Sequence, residues 1–324
     1  MSLPLPSYYR ADEVSSLYVE RGGLVSTEAL AFREAHSIAP ASDDTFRVAV
    51  FGIDCQVGFC HPEASLFVPG AVGDTQRSIE WIYRNLNHIT GMFFSLDTHS
   101  VFQIFHPSWW VDEHGGHPAP FSVITATDIE AGRFRALYHP EESLEYCRKL
   151  ESTGKYVLTI WPYHTLLGGT SHALVPALME AALFHSIARQ QPTHFELKGR
   201  HPQTENYSVF SPEVKTLSRK SVGRFNRSFF ETLLAYDRVY VMGQASSHCV
   251  LSSLQDMQDK IHETDPSLLD KIWILEDAMS PVTPPPLDPL PDSLNFPVIA
   301  QEALQSFSDA GMHLARTTDP IDLP

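Results

Sequence analysis

The sequence predicts an α/β protein of three layers, with a central, mainly parallel sheet covered by helices on both faces. Three observations carry this. Apolar strand-like runs alternate with helix-length segments along most of the chain. The runs are continuously apolar rather than alternating, as strands buried on both faces are. Several of them end on a reactive polar residue, and sheets of this kind bind ligands beyond the carboxyl ends of their strands.

Taken in order, residues 1–46 are polar with scattered apolar positions and read as an N-terminal arm on a main domain of residues 47–324. Arg47–Asp54 is the first strand, Ile79, Ile82, Tyr83, Leu86 and Ile89 mark a helix, and Met92–Asp97 is the second strand. Residues 112–155, rich in His, Pro and charge, read as an insertion, a surface excursion rather than a core element. Tyr156–Ile160 reads as the third strand. Ser171–Gln191 is a helix stopped by Pro192, and the strand Thr193–Lys198 follows. A short helix near Phe225–Ala235, the strand Arg238–Gly243, the helix His248–Ile261 and the strand Lys271–Glu276 come next. Residues 280–297 form a proline-rich loop that suits neither helix nor central strand. A helix Val298–Ala310 and a strand Met312–Arg316 complete the pattern, and no internal repeat is visible.

Composition narrows the function. The 324 residues carry 39 Asp and Glu against 23 Lys and Arg, a formal charge of −16, which disfavours nucleic acid and anionic lipid as partners. No apolar run approaches the roughly 20 residues of a membrane span. The N-terminus lacks the basic and apolar regions of a signal peptide. Four cysteines are too few for a disulfide scaffold, so a reduced, cytoplasmic protein is expected.

The polar residues at strand ends supply two constellations. Cys249 falls in the first turn of a helix, where backbone N–H groups and the helix dipole favour thiolate and can hold an oxyanion. The same context suits a buried structural cysteine. Asp54 and Lys198 end their own strands; alone, one reads as a loop cap and the other as a solvated lysine. Together with Cys249 they make a base, a cation and a nucleophile, the set that thiol-based acyl transfer needs. Asp97 and His99, at i and i+2, point to one side, with His106 on the following loop and His164 after the next strand. Asp/His/His with an open position matches a catalytic divalent-metal site, and three unrelated surface histidines are the plain alternative. His248 neighbours Cys249 but diverges from it in direction, so it is not expected to act as its base.

These residues resemble the nicotinamidase branch of the isochorismatase-like cysteine hydrolases, a Rossmann-like fold, from about Val48 to Arg316. The motifs carrying the resemblance are Asp54-Cys55-Gln56 with Phe59, Asp97-Thr98-His99, His106-Pro107, and Trp161-Pro162-Tyr163-His164. After them come Lys198-Gly199 with Tyr207-Ser208 and Phe210, then Gly243-Gln244-Ala245-Ser246-Ser247-His248-Cys249-Val250, and Glu276-Asp277-Ala278. Ser247 stands where the family often has aspartate, and it is expected still to cap the helix.

The resemblance implies hydrolysis of a small aromatic amide, nicotinamide to nicotinate and ammonia. It implies Asp54, Lys198 and Cys249 as catalytic residues. The N–H groups of Ala245 and Cys249 would form an oxyanion hole beside a cis peptide at Gln244–Ala245. Phe59, Trp161 and Gln244 would line the substrate pocket. Asp97, His99 and His164 would hold one divalent ion, zinc before iron or manganese, with His106 as fourth ligand or supporting partner. The insertion is expected to cover the pocket or to pack on a partner subunit of a homo-oligomer. Another hydrolase of the superfamily with a non-pyridine substrate, or a non-catalytic binding protein on the same fold, are the rival readings.

Overall fold

A computed structural model describes residues 2–154, 156–284, 288–290 and 292–323. The centre is a six-stranded sheet built from β1 (Val48–Ile53), β2 (Gly91–Asp97), β3 (His194–Lys198), β4 (Arg238–Gly243), β5 (Ile272–Leu275) and β6 (His313–Ala315). Every pairing within it is parallel, in the spatial order β6-β5-β4-β1-β2-β3. The order runs outward in both directions from the β1–β4 pair. A crevice opens at such a switch point, beyond the carboxyl ends of the two strands.

Alternate residues of each strand serve opposite faces. Val48, Val50, Met92, Phe94 and Met242 enter one core with the helices α1 (Gly22–Ala35), α2 (Ala71–Arg84) and α4 (Pro176–Arg189). Ala49, Phe51, Phe93, Val241 and Ile274 enter the other with α5 (Arg227–Leu234), α6 (Cys249–His262) and α7 (Phe296–Asp309). Because both faces are covered, the strands read as unbroken apolar runs, and the three-layer expectation holds.

Some boundaries differ from the sequence reading. Tyr156–Ile160 is not a strand of the central sheet: only Leu158–Thr159 is extended, paired antiparallel with Val123–Ile124. The place beside β2 belongs to β3, and a short apolar run alone does not reveal which partner it will find. The helix expected from Ser171 begins at Pro176, after a turn at Thr170–His172. The arm contains α1, whose Val25 and Ala29 are buried. The insertion is more than a surface excursion. It pairs Trp110–Asp112 with Phe134–Ala136 and carries α3 (Pro140–Ser152), whose Tyr146, Cys147 and Leu150 join the first core. Of the proline-rich loop, residues 285–287 and 291 lie outside the described residues, as do Met1 of the arm, Lys155 of the insertion and Pro324. Among the described residues no helix is long and apolar enough to cross a membrane. The four cysteines are all free and buried.

Candidate active site

The carboxyl ends of β1, β2, β3 and β4 deliver Asp54, Asp97, Lys198 and the segment leading to Cys249 to one rim. The approach of β4 to β1 is close enough to require glycine: a Cβ on Gly243, at φ +124°, would lie 2.0 Å from the Ile53 carbonyl oxygen. The peptide Gln244–Ala245 is cis, and Cys249 is the first residue of α6. Gln56 ties the first two strand ends together, donating from Nε2 to the Asp97 carbonyl at 2.9 Å and accepting the Asp97 N–H at 2.7 Å.

Lys198 is the hub. Its Nζ lies 2.9 Å from Asp54 Oδ2, 2.9 Å from Asp97 Oδ1, and 3.6 Å from Cys249 Sγ, and it donates to the Asn206 carbonyl at 2.8 Å. Burial opposes its charge, yet the two carboxylates hold its pKa well above the ordinary lysine value. Asp54 Oδ1 accepts the Ser95 hydroxyl at 2.6 Å. Its other oxygen, Oδ2, is buried and ion-paired with Lys198. Burial raises the Asp54 carboxyl, with Lys198 pulling the other way. Burial would raise Asp97 too, but His99 and Lys198 hold it well below the carboxylate range.

Cys249 behaves differently from the sequence expectation. Burial pushes its thiol well above the ordinary value, with Lys198 opposing and the Asp54 and Asp97 charges adding to the rise. The partial charge of a helix start is smaller than the cost of a buried thiolate facing two carboxylates. The resting residue is therefore a thiol, and ionising it requires a base. Among the described residues, no backbone carbonyl accepts from the N–H of Ala245 or of Cys249.

Asp97, His99 and His164 form a buried group whose candidate ligand atoms all lie within 4.8 Å of one another. The Trp161–His164 segment reaches the rim from a loop: Trp161 N–H donates to the Phe105 carbonyl at 2.7 Å, and His99 N–H to the Thr165 carbonyl at 3.1 Å. His164 Nδ1–H donates to the Pro162 carbonyl at 2.7 Å and His99 Nδ1–H to the Gly199 carbonyl at 3.4 Å. When the rings are neutral, these bonds leave each Nε2 with its lone pair, 2.8 Å (His99) and 3.7 Å (His164) from Asp97 Oδ2. A carboxylate oxygen and two lone pairs facing one another call for a cation or a proton between them, so the residues fit a borderline divalent ion. A Cβ on Gly199, at φ +79°, would fall 2.8 Å from Asp97 Oδ1 and close the room behind this group. His106 stands outside the group, its ring 5.9 Å from that of His99 and 6.1 Å from that of His164. Its Nδ1–H is held by the Val101 carbonyl, and its Nε2 is buried without a hydrogen-bond partner among the described residues.

Above these groups lies a cavity with about 490 Å³ of space including its mouth, near the low end for a small-molecule site. Cys249, Ala245, Asp97, His99 and His164 line it, with the expected Phe59 and Trp161. Gln244 does not: its side chain turns to Asp74, donating to Oδ2 at 2.9 Å, and accepts the Ser280 N–H. Ser247 does not cap α6; its hydroxyl pairs with His248 Nδ1 and accepts the Val282 N–H. The sequence reading left out Phe105, Glu205, Tyr207, His248 and Val282 as wall residues. Tyr207 belonged to a quoted motif, so its signal was present. His248 is an aromatic wall rather than a base, with burial lowering it to about 4. No described residue of the insertion lines the cavity; the insertion reaches it from behind, through Tyr146 on Glu205 and Phe121 on Trp161.

No protein-family model matches the chain, and no curated protein matches it in sequence. Solved structures do match, and they are nicotinamidases and pyrazinamidases with the isochorismatase-like fold. A nicotinamidase/pyrazinamidase of Acinetobacter baumanii is 17% identical, covering 86% of this chain and 99% of that one, with a TM-score of 0.53. The yeast nicotinamidase Pnc1p is 14% identical over 83% of this chain and 99% of its own, with a TM-score of 0.52. Its complex with the inhibitor nicotinaldehyde matches at 0.54. At these identities the likeness is one of fold.

Proposed function

We propose that this chain is a metal-assisted cysteine amidohydrolase that converts nicotinamide, or a closely similar pyridine carboxamide, to its carboxylate and ammonia through a thioester on Cys249. The observation that carries the reading is the convergence of Lys198 on Asp54, Asp97 and Cys249 at the floor of an aromatic cavity. The shared fold with a nicotinamidase that binds nicotinaldehyde supports the ring-shaped substrate.

In the proposed cycle the Cys249 thiol gives its proton to Asp54 Oδ2 as sulfur bonds to the amide carbon. The carbonyl electron pair moves to oxygen, which the N–H groups of Ala245 and Cys249 receive. The C–N bond then breaks, the proton on Asp54 leaves with ammonia, and a thioester remains. Asp54 next takes a proton from water, whose oxygen displaces sulfur. The proton returns to Cys249. Lys198 holds Asp54 in place and offsets its charge throughout. Asp97, His99 and His164 would hold a divalent ion, zinc, iron or manganese, with His106 beside them. When bound, the ion would supply a Lewis-acid anchor for a ring nitrogen.

The test is ammonia release from nicotinamide, from benzamide, which lacks the ring nitrogen, and from an aliphatic amide. Nicotinamide is expected to lead. Cys249→Ala should lose more than ~10³-fold in turnover while still binding substrate. Single Ala variants of Cys55, Cys60 and Cys147 should keep it, since none of the three lines the cavity. A lead for the aliphatic amide favours a different amidase on this fold; silence with every amide favours a binding protein.

A further inference from the structure

Glu205 is a carboxyl group on the cavity wall that the proposed chemistry leaves unused. It is 2 % exposed, and its hydrogen-bond donors are neutral. The Tyr146 hydroxyl donates to Oε2 at 2.8 Å, and the Trp161 indole N–H donates to Oε1 at 3.1 Å. The Tyr207 hydroxyl also donates to Oε1, and accepts a second contact from the Trp161 N–H at 3.0 Å. Trp161 and Tyr207 are both cavity walls, set edge to face with ring centres 6.5 Å apart. Tyr146 comes from α3 of the insertion.

We propose that Glu205, clamped by Tyr146 of the insertion, is the positioning residue that fixes Trp161 and Tyr207, so that the insertion governs how tightly a ring amide is held. This rests on the amidase reading of the same site. The argument is one of acceptors. A carboxylate offers acceptor sites only, and all three donors are aimed at it. Removing the Tyr146 hydroxyl strips Oε2 of its donor. A proton on Glu205 turns one acceptor into a donor, which conflicts with an N–H or O–H already pointing there.

Glu205 titrates where this matters. Burial raises it to about 7, against the pull of its three donors and with Glu213 adding to the rise. The other groups around it are Tyr146, Cys147, Tyr156 and Tyr207, which burial keeps protonated, and His248, which burial keeps neutral. The wall is therefore expected to loosen as pH falls through neutrality.

Two readouts test this. Steady-state kinetics on nicotinamide should show KM raised about five- to tenfold by Glu205→Gln and by Tyr146→Phe, with kcat within about threefold of wild type. The rise of the wild-type KM below about pH 7 should vanish in Glu205→Gln. Tryptophan fluorescence against pH needs no turnover: the wild type should show a transition near neutrality that both Glu205→Gln and Trp161→Phe abolish. A wild type that hydrolyses no amide defeats the amidase reading, while the fluorescence still judges the clamp. Unchanged KM in both folded variants, a fall in kcat without a change in KM, or a fluorescence transition that survives Glu205→Gln overturns the proposal. Glu205→Gln keeps the side-chain volume; should it fail to fold, Glu205 is a core strut and the proposal falls.

Discussion

Lys198→Met removes the cation between two buried carboxylates while nearly keeping the side chain's length. At 2.9 Å to each of Asp54 and Asp97, and with an effective dielectric of about 20, each pair attracts by about 6 kcal/mol. Desolvating the ammonium returns several kcal/mol of that, and removing one partner of a buried pair costs about 3–5 kcal/mol. The loss is limited because Asp54, whose carboxyl is already raised, takes up a proton. Its folded pKa then lies further above the unfolded value, so the variant is least impaired at acid pH and loses stability as pH rises through that folded pKa. A protonated Asp54 is also no base, so kcat should fall by about 10²–10⁴. The assay is urea unfolding of chelator-treated protein at about pH 5 and about pH 8, read at constant m. A penalty near 3 kcal/mol at the higher pH and a smaller one at the lower is expected. A penalty that ignores pH, or a kcat within threefold of wild type, would refute the assignment of Lys198 as the counter-charge to Asp54.

Purified from metal-replete medium, the protein should carry about one divalent ion per chain. His99→Ala or His164→Ala should release it and raise KM steeply; a folded wild type without metal speaks against the site. A separate expectation concerns acid stability. His185 and His248 are buried, and burial lowers each to about 4. Their contribution is fully present above the unfolded value of about 6.5 and is lost as pH falls toward the folded one, by about 1.4 kcal/mol per pH unit and group. Between about pH 6.5 and about pH 4.5 the urea midpoint should therefore fall more steeply than that of a His185→Gln, His248→Gln double variant, since the raised Glu205 and Asp54 carboxyls act the other way in both proteins; equal slopes would show that these rings are solvated.

The strands of the sheet were legible because burial on both faces writes itself as unbroken apolar runs, as in Val48–Ile53 and Arg238–Gly243. Asp54, Asp97, Lys198 and Cys249 were legible because each is the residue at which such a run, or the turn after it, ends. His164 was found for a partly wrong reason: it is held by a loop that bridges to His99, not by a strand of the sheet. What stayed hidden depends on side-chain direction. Gln244 sits in the right segment, yet its amide is drawn to Asp74, away from the cavity. Glu205 has no apolar period around it, and only the fold brings Tyr146, some 60 residues away, to its carboxyl. The insertion looked like a surface loop because His, Pro and charge dominate it, while the few residues that bury it, Tyr146, Cys147 and Leu150, are spaced for a helix.

In the proposed mechanism the Asp54 carboxyl and the Cys249 thiol, both raised by burial, share one proton. Lys198 supplies one positive charge against Asp97, Asp54 and a potential thiolate. With the proton on sulfur or on Asp54 these four side chains carry a net charge of −1; with both groups ionised they carry −2, at buried positions where charge is poorly solvated. The proton can therefore pass between them at constant charge, which is what the proposed attack and thioester breakdown require, but it leaves the pair only at high pH. Asp54→Asn breaks this coupling. The neutral amide no longer repels a thiolate, and Lys198 remains 3.6 Å from the sulfur, so the variant should have the more readily ionised cysteine although it has lost the base. Iodoacetamide labelling of Cys249, followed by mass spectrometry across pH, should show its midpoint lower by at least about one unit in Asp54→Asn. Turnover in the same variant should drop by about 10²–10⁴. A midpoint that stays put or moves up would mean that Asp54 does not set the charge state of the sulfur, and the shared-proton account would have to be abandoned.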